Sequence, residues 1–189
     1  MSEIMKDKPF YDRSGGGVTL SGGEPLLQAE FVCAFCDALH ASGITVAIET
    51  AANAPSDIFA SVLKKCDQAL IDIKHWNEES HLQGTGVDNR QILANIRYAF
   101  KQNIPVTLRI PVIPGYNDSA TDAMAFASLL KELGARDVQL LPFHQLGDNK
   151  YDKLNTAYAY SGVSQLLDED LKEYAGILSA SGLQVQIGG

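Results

Sequence analysis

The chain has 189 residues, 46% of them apolar and 20% charged, with a net charge of −8 from 23 acidic and 15 basic side chains. This is ordinary globular composition, and the length suits a single domain over residues 1–189 with a sizeable core. The acidic balance repels phosphate backbones and argues against a nucleic-acid partner.

No apolar run approaches the roughly 20 residues of a membrane helix. The opening MSEIMKDKPFYDR is too polar for a signal peptide. A cytoplasmic protein with no membrane partner is therefore expected. Cysteine occurs only at Cys33, Cys36 and Cys66, an odd count that speaks against a disulfide framework.

In chain order, strands are predicted at 17–21, 45–50, 68–74, 106–112, 138–143 and 185–187. A helix-length segment follows each of the first five. The alternation signals βα units on a parallel sheet. Nearly continuous apolar runs (ALIDI, VQLLPF) fit strands covered by helices. The first helix carries a stripe of Leu27, Phe31, Phe35 and Leu39 and stops at the ASG of 41–43. Ile58, Val62 and Leu63 mark the second, Ile92, Ile96 and Phe100 the third. Phe126, Leu129, Leu130 and Leu133 mark the fourth, closed by Gly134; Leu167, Leu171, Tyr174 and Leu178 mark the last. Such a series is too short for an eight-stranded barrel of about 250 residues, so an open, partial β/α barrel is expected. Its chemistry belongs at the C-terminal ends of the strands.

At those ends the first strand offers Ser21-Gly22-Gly23-Glu24-Pro25. The glycines let a ligand approach the backbone, or simply make a tight turn into a helix. Glu49 and Thr50 end the second strand and Asp72 the third, an all-oxygen group suited to a hard cation, or else a salt-bridged rim with Asp72 paired to Lys74 or Arg109. Lys74 shares a strand face with Asp72 and could alternatively be a Schiff-base lysine of an aldolase-type enzyme. Arg109, inside the apolar VTLRIPVIPG, needs an anionic ligand or a carboxylate partner. His144 follows the fifth strand, as a hydrogen-bonder or a site residue. The polar loop after Gly147, with Tyr151, Tyr158 and Tyr160, either covers a site or crosses the surface. Cys33 and Cys36 lie within a continuous helical pattern and read as packing residues, not metal ligands.

Taken together, DKPFYDRSGGGVTLSGGEPLLQAEF, IET, LIDIKH, GTGV, RIPVIPGYND and LLPFHQLG, in this order, resemble the activating enzymes of glycyl radical enzymes, the family of pyruvate formate-lyase activating enzyme. The resemblance runs through nearly the whole chain from Asp7 on. It implies a radical S-adenosylmethionine (SAM) enzyme, an oxidoreductase with a TIM-barrel-like core and a 4Fe-4S cluster. In the intact enzyme, SAM is cleaved reductively and hydrogen is taken from a backbone glycine of a partner such as pyruvate formate-lyase.

By the same resemblance, Gly22, Gly23, Glu24, Lys74, Arg109 and His144 bind SAM, and Glu49, Thr50 and Asp72 hold a monovalent cation. The family's cluster motif, C-x-x-x-C-x-x-C after a first strand, has no counterpart in these residues. A cut, inactive SAM-binding portion is the expectation, its first strand unpaired on one side. A cluster-free SAM or nucleotide module is the alternative.

Overall fold

The strands β1 (Gly17–Leu20), β2 (Thr45–Thr50), β3 (Gln68–Asp72), β4 (Val106–Val112), β5 (Asp137–Pro142) and β6 (Gln184–Ile187) form one sheet in sequence order. Every neighbouring pair is parallel. The computed structural model describes residues 1–144 and 162–188. The sequence readings on Gln145, Leu146, Gly147, Tyr151, Tyr158 and Tyr160 lie outside the described residues.

A parallel connection is right-handed, and here each strand joins its immediate neighbour, so the connecting helices fall on the same face. These are α2 (Ala29–Ala41), α3 (Ser56–Leu63), α4 (Glu78–Thr85), α5 (Arg90–Ala99), α6 (Ala120–Leu133) and α7 (Lys172–Ala180). Contacts run from α2 to α3, α3 to α5, α5 to α6 and α6 to α7, making a continuous outer layer. Alternate strand residues point into it: Val46 and Ile48, Ala69 and Ile71, Leu108 and Ile110, Val138 and Leu140 are all buried. Phe59, Phe126, Ile92 and Ile96 meet them from the helices. Residues of opposite parity, among them Glu49, Leu70, Asp72, Thr107, Arg109 and Gln139, face away from that layer. The result is an open, one-sided β/α half-barrel.

Local signals explain most helix boundaries. Ser119 caps α6 in a reciprocal capping box with Asp122, and Gly134 closes it in the left-handed conformation. Asn77 caps α4, a helix that the apolar pattern does not reveal because its sequence EESHLQGT is mostly polar and buries only His81.

Two expectations need correction, and one helix adds to the sequence reading. A helix α1 (Ile4–Ser14) occupies the polar opening despite Pro9, burying none of its residues. Of the first stripe, Leu27 and Phe31 are exposed (82% and 62%), whereas Val32, Cys36 and Leu39 are buried. Steps of four residues drift by about 40° each around a helix. Leu27 moreover belongs to a 3-10 turn, Pro25–Gln28, that precedes α2. Leu167, expected on the last apolar stripe, likewise lies ahead of a 3-10 turn, Asp168–Leu171, and is exposed. Strand limits match within one or two residues, with β1 ending at Leu20 and β3 at Asp72. Among the described residues β1 pairs with β2 alone, so it forms an edge of the sheet. No described helix is long and apolar enough to cross a membrane.

Candidate functional site: the rim of the half-barrel

The loop after β1 turns at Gly22, whose φ of +124° suits glycine and few other residues. A Cβ on Gly22 or Gly23 would meet no described atom within 4 Å, so the backbone here is open to a ligand. Glu24 then caps the 3-10 turn, accepting from Leu26 N at 3.1 Å. The same carboxylate accepts from the Thr50 hydroxyl at 2.6 Å and from Ala51 N at 3.0 Å. Glu24 thus ties the glycine loop to the end of β2. The turn beyond it is strained, since Ala52 is left-handed at φ 55°. Thr50 Oγ1 accepts from Ala52 N, and Asn95 Nδ2 donates to the Ala52 and Ala54 carbonyls, holding that turn in place.

A second group lies on the open face. Arg109 sits opposite Asp72 in the β3–β4 register. Its Nε donates to Asp72 Oδ1 at 2.8 Å, and its Nη2 is ion-paired with Glu49 Oε1 without hydrogen-bond alignment. Asp72 Oδ2 in turn accepts from Lys74 Nζ at 2.6 Å. Burial alone would push the Arg109 guanidinium down, but Glu49 and Asp72 outweigh it and raise its pKa. Of the five N–H donors of a guanidinium, those on Nη1 are engaged by no described residue.

The sequence-derived residues are therefore divided. Glu49, Asp72, Lys74 and Arg109 form one charge network; Glu24 and Thr50 form another contact next to it. Glu49 and Thr50 are consecutive on β2 and point to opposite faces, so Glu49, Thr50 and Asp72 do not make one oxygen cage. Arg109 already lies between the two carboxylates of that trio. No group of three or more His, Cys, Asp or Glu among the described residues could hold a metal ion. His144 follows β5, exposed, at the same end of the sheet.

Sequence reading missed a buried polar network behind this rim. His75 Nδ1 accepts from Asn77 N, so Nε2 carries the proton and donates to Tyr116 O at 3.2 Å. Burial pushes this histidine below its ordinary value, which keeps it neutral. Trp76 Nε1 donates to Asp122 at 2.8 Å. Asn117 donates to the Lys74 and Pro111 carbonyls, and Asn89 to those of His75 and Trp76. These amides replace the backbone partners that loops lack. For the turn after β2, the available signal was Asn95, an asparagine inside the apolar helix pattern QILANI.

The fold and rim define a class. A model of the radical SAM superfamily matches residues 3–127, and the chain belongs to that superfamily. Within it, the chain is similar to activating enzymes. It is 38% identical over its full length to the trans-4-hydroxy-L-proline dehydratase activating enzyme of Clostridioides difficile, covering 64% of that protein. To the pyruvate formate-lyase 2-activating enzyme of Escherichia coli it is 36% identical, with 99% of the chain and 64% of the relative aligned. The chain thus spans under two thirds of the length of these relatives. A solved domain of pyruvate-formate lyase-activating enzyme from Bacteroides vulgatus superposes with a TM-score of 0.75 at 30% identity, covering 92% of this chain and 99% of that one.

The superfamily implies SAM and a 4Fe-4S cluster. The open glycine loop and Arg109 Nη1, which no described residue engages, fit a ligand with amino and carboxylate ends. The cysteines present do not fit a cluster. Cys36 and Cys66 are buried in the core with thiols pushed up by burial, and half-buried Cys33 lies 3.8 Å from the Ser61 carbonyl.

Proposed function

We propose that this chain is the SAM-binding portion of an activating enzyme whose partner is a glycyl radical enzyme. The observation that supports it best is the glycine loop and the Glu49–Arg109–Asp72–Lys74 network at the strand ends of one half-barrel. The relatives' names, activating enzymes of other enzymes, support the role, and the resemblance to that family implies the kind of reaction. In the intact enzyme, bound SAM would supply, on reductive cleavage, the means to take hydrogen from a backbone glycine of the partner.

The chain's own residues bind and orient. Gly22 and Gly23 present bare backbone to the amino end of the methionine portion, and Glu24 fixes their loop against β2. Arg109 Nη1 meets the carboxylate or the ribose. Asp72 holds Arg109 and Lys74 in register, which keeps two positive groups beside the ligand's carboxylate without net charge on the rim. His144 serves the sugar.

The 189 residues hold no C-x-x-x-C-x-x-C triplet, so this polypeptide alone is expected neither to assemble the cluster nor to cleave SAM. An aldolase reading of Lys74 is disfavoured by its ion pair with Asp72, which engages the ammonium as a charge partner.

Calorimetry with SAM tests the proposal. Without iron to chelate the ligand, binding about millimolar in strength is expected. It should be lost in Gly23→Val, whose Cβ meets no described atom, and in Arg109→Ala. Micromolar binding that survives both substitutions would sink the assignment of the rim.

A further inference from the structure

Asn95 lies on the inward face of α5 among buried Ile92, Ile96 and Ala99, and is itself 1% exposed. A carboxamide in an apolar layer is costly unless its polar atoms are paired. Here all of them are. Nδ2 donates to the Ala52 carbonyl at 2.8 Å and to the Ala54 carbonyl at 2.9 Å. Oδ1 accepts from Gln91 Nε2 at 3.2 Å, which fixes the orientation of the amide.

This clamp falls on Ala52, which among the described residues is the one non-glycine with a positive φ. Alanine is strained in that conformation, and such strain persists only where the surroundings impose it. The groups that the strained turn aims point away from α5. Ala52 N donates to Thr50 Oγ1 at 2.9 Å, and Ala51 N to Glu24 Oε2 at 3.0 Å. Accepting from Ala52 N turns the Thr50 hydroxyl proton toward Glu24 Oε1, 2.6 Å away. Glu24 directly follows Gly22 and Gly23, so its carboxylate anchors the end of the open loop.

Asn89 provides the contrast. It is also buried and also donates to two carbonyls, those of His75 and Trp76. The side chains of those residues bond onward to Asn77, Tyr116 and Asp122, not to Glu24.

We propose that Asn95 is a positioning residue for the glycine loop. It holds Ala52 left-handed and so, through Thr50 and Glu24, sets the backbone of Gly22 and Gly23 for the amino end of a ligand. That the ligand is SAM rests on the function proposed above; the positioning of the loop does not.

The test uses the whole 189-residue chain and two readouts. Amide NMR shifts of Gly22, Gly23 and Glu24 without ligand report the loop, and a SAM titration reports binding. In Asn95→Ala the three amides should move, and SAM affinity should fall about tenfold. Asn89→Ala, which removes the same kind of bonds from the next loop, should lower the urea midpoint comparably and leave the three amides in place. Ala52→Gly supplies the rescue, because glycine takes a positive φ without strain. The double variant Asn95→Ala/Ala52→Gly should return the amides and the affinity toward those of the starting protein. Should Asn95→Ala not fold, Gln91→Ala, which only frees the Asn95 amide to rotate, should move the same amides by less.

Glycine-loop amides that stay in place in folded Asn95→Ala, or in Gln91→Ala where that variant replaces it, would overturn the proposal. So would equal movement in Asn89→Ala, or a double variant no closer to the starting protein than Asn95→Ala. If the starting protein binds no SAM, the SAM reading alone falls, and the amide comparison still decides the role of Asn95.

Discussion

On β3, consecutive residues occupy different media. Ile71 points into the helix layer and is fully buried. Asp72 points to the other side, where its carboxylate is shared by Arg109 and Lys74. The same division recurs on β2 with Ile48 and Glu49, and on β4 with Leu108 and Arg109. One face is held by dispersion and desolvation of apolar surface, which is non-directional and tolerant of sequence. The other is held by a few charge contacts that depend on the identity of each partner. Apolar packing and charge pairing are thus separated by the two-residue period of a strand.

The strongest challenge to this division is a pair of substitutions on adjacent residues. Ile71→Ala should cost about 2–5 kcal/mol, as large-to-small changes in a closed core do. Leu70→Ala, on the open face, should cost clearly less, and urea denaturation of both proteins measures the difference. Equal losses would mean that the open face is as tightly packed as the helix side.

Arg109→Met comes next. It leaves Glu49 and Asp72 without their shared cation; breaking a fully buried pair costs about 3–5 kcal/mol. The Glu49 side chain is 36% exposed, so screening should bring the loss down to about 1–3 kcal/mol. Adding Asp72→Asn to this variant should recover part of it, and no recovery would show that Arg109 acts by packing alone.

A smaller effect concerns pH. The His75 pKa is lowered in the folded state by burial, so its contribution is present above the ordinary 6.5 and declines as pH falls below that value. Asp122 is also lowered: burial, which pushes it up, is outweighed by bonds from Ser119 and Trp76. Its contribution persists above 3.8 and is lost only in stronger acid. Urea midpoints should therefore drop between pH 7.5 and 5, and His75→Gln should flatten that segment. A midpoint that rises on acidification would indicate a charged His75 paired with Asp122.

The smallest expected effect is kinetic. Cys33 should react first with a thiol reagent, whereas Cys36 and Cys66, buried and with thiols pushed up, should react at the rate of unfolding. Three fast thiols would contradict a closed helix layer.

Much of this plan is legible in the residues. The strands stand out because buried parallel strands read as apolar runs, and five of the six both begin and end within one residue of expectation. Leu27 and Phe31 misled because a four-residue stripe winds around the helix instead of following its buried face. Polar α1 and α4 escaped notice because neither has an apolar face of any width. At the rim, each residue type was readable, but its partner was not. Arg109 called for a carboxylate or an anion, and only the register that sets it opposite Asp72 selects the former. Thr50 looked like a neighbour of Glu49, and only strand alternation sends it to Glu24 instead.

The strand order carries one more consequence. Because each strand touches only the strands next to it in sequence, the sheet can grow outward like beads threaded one after another. Loop closures stay short, each bridging one helix, so assembly need never wait for distant ends of the chain to meet. A βα unit gained or lost at either edge would leave every inner pairing unchanged, as in solenoid repeats. Such a scaffold can vary in length over evolutionary time while the residues at its middle strands keep their geometry.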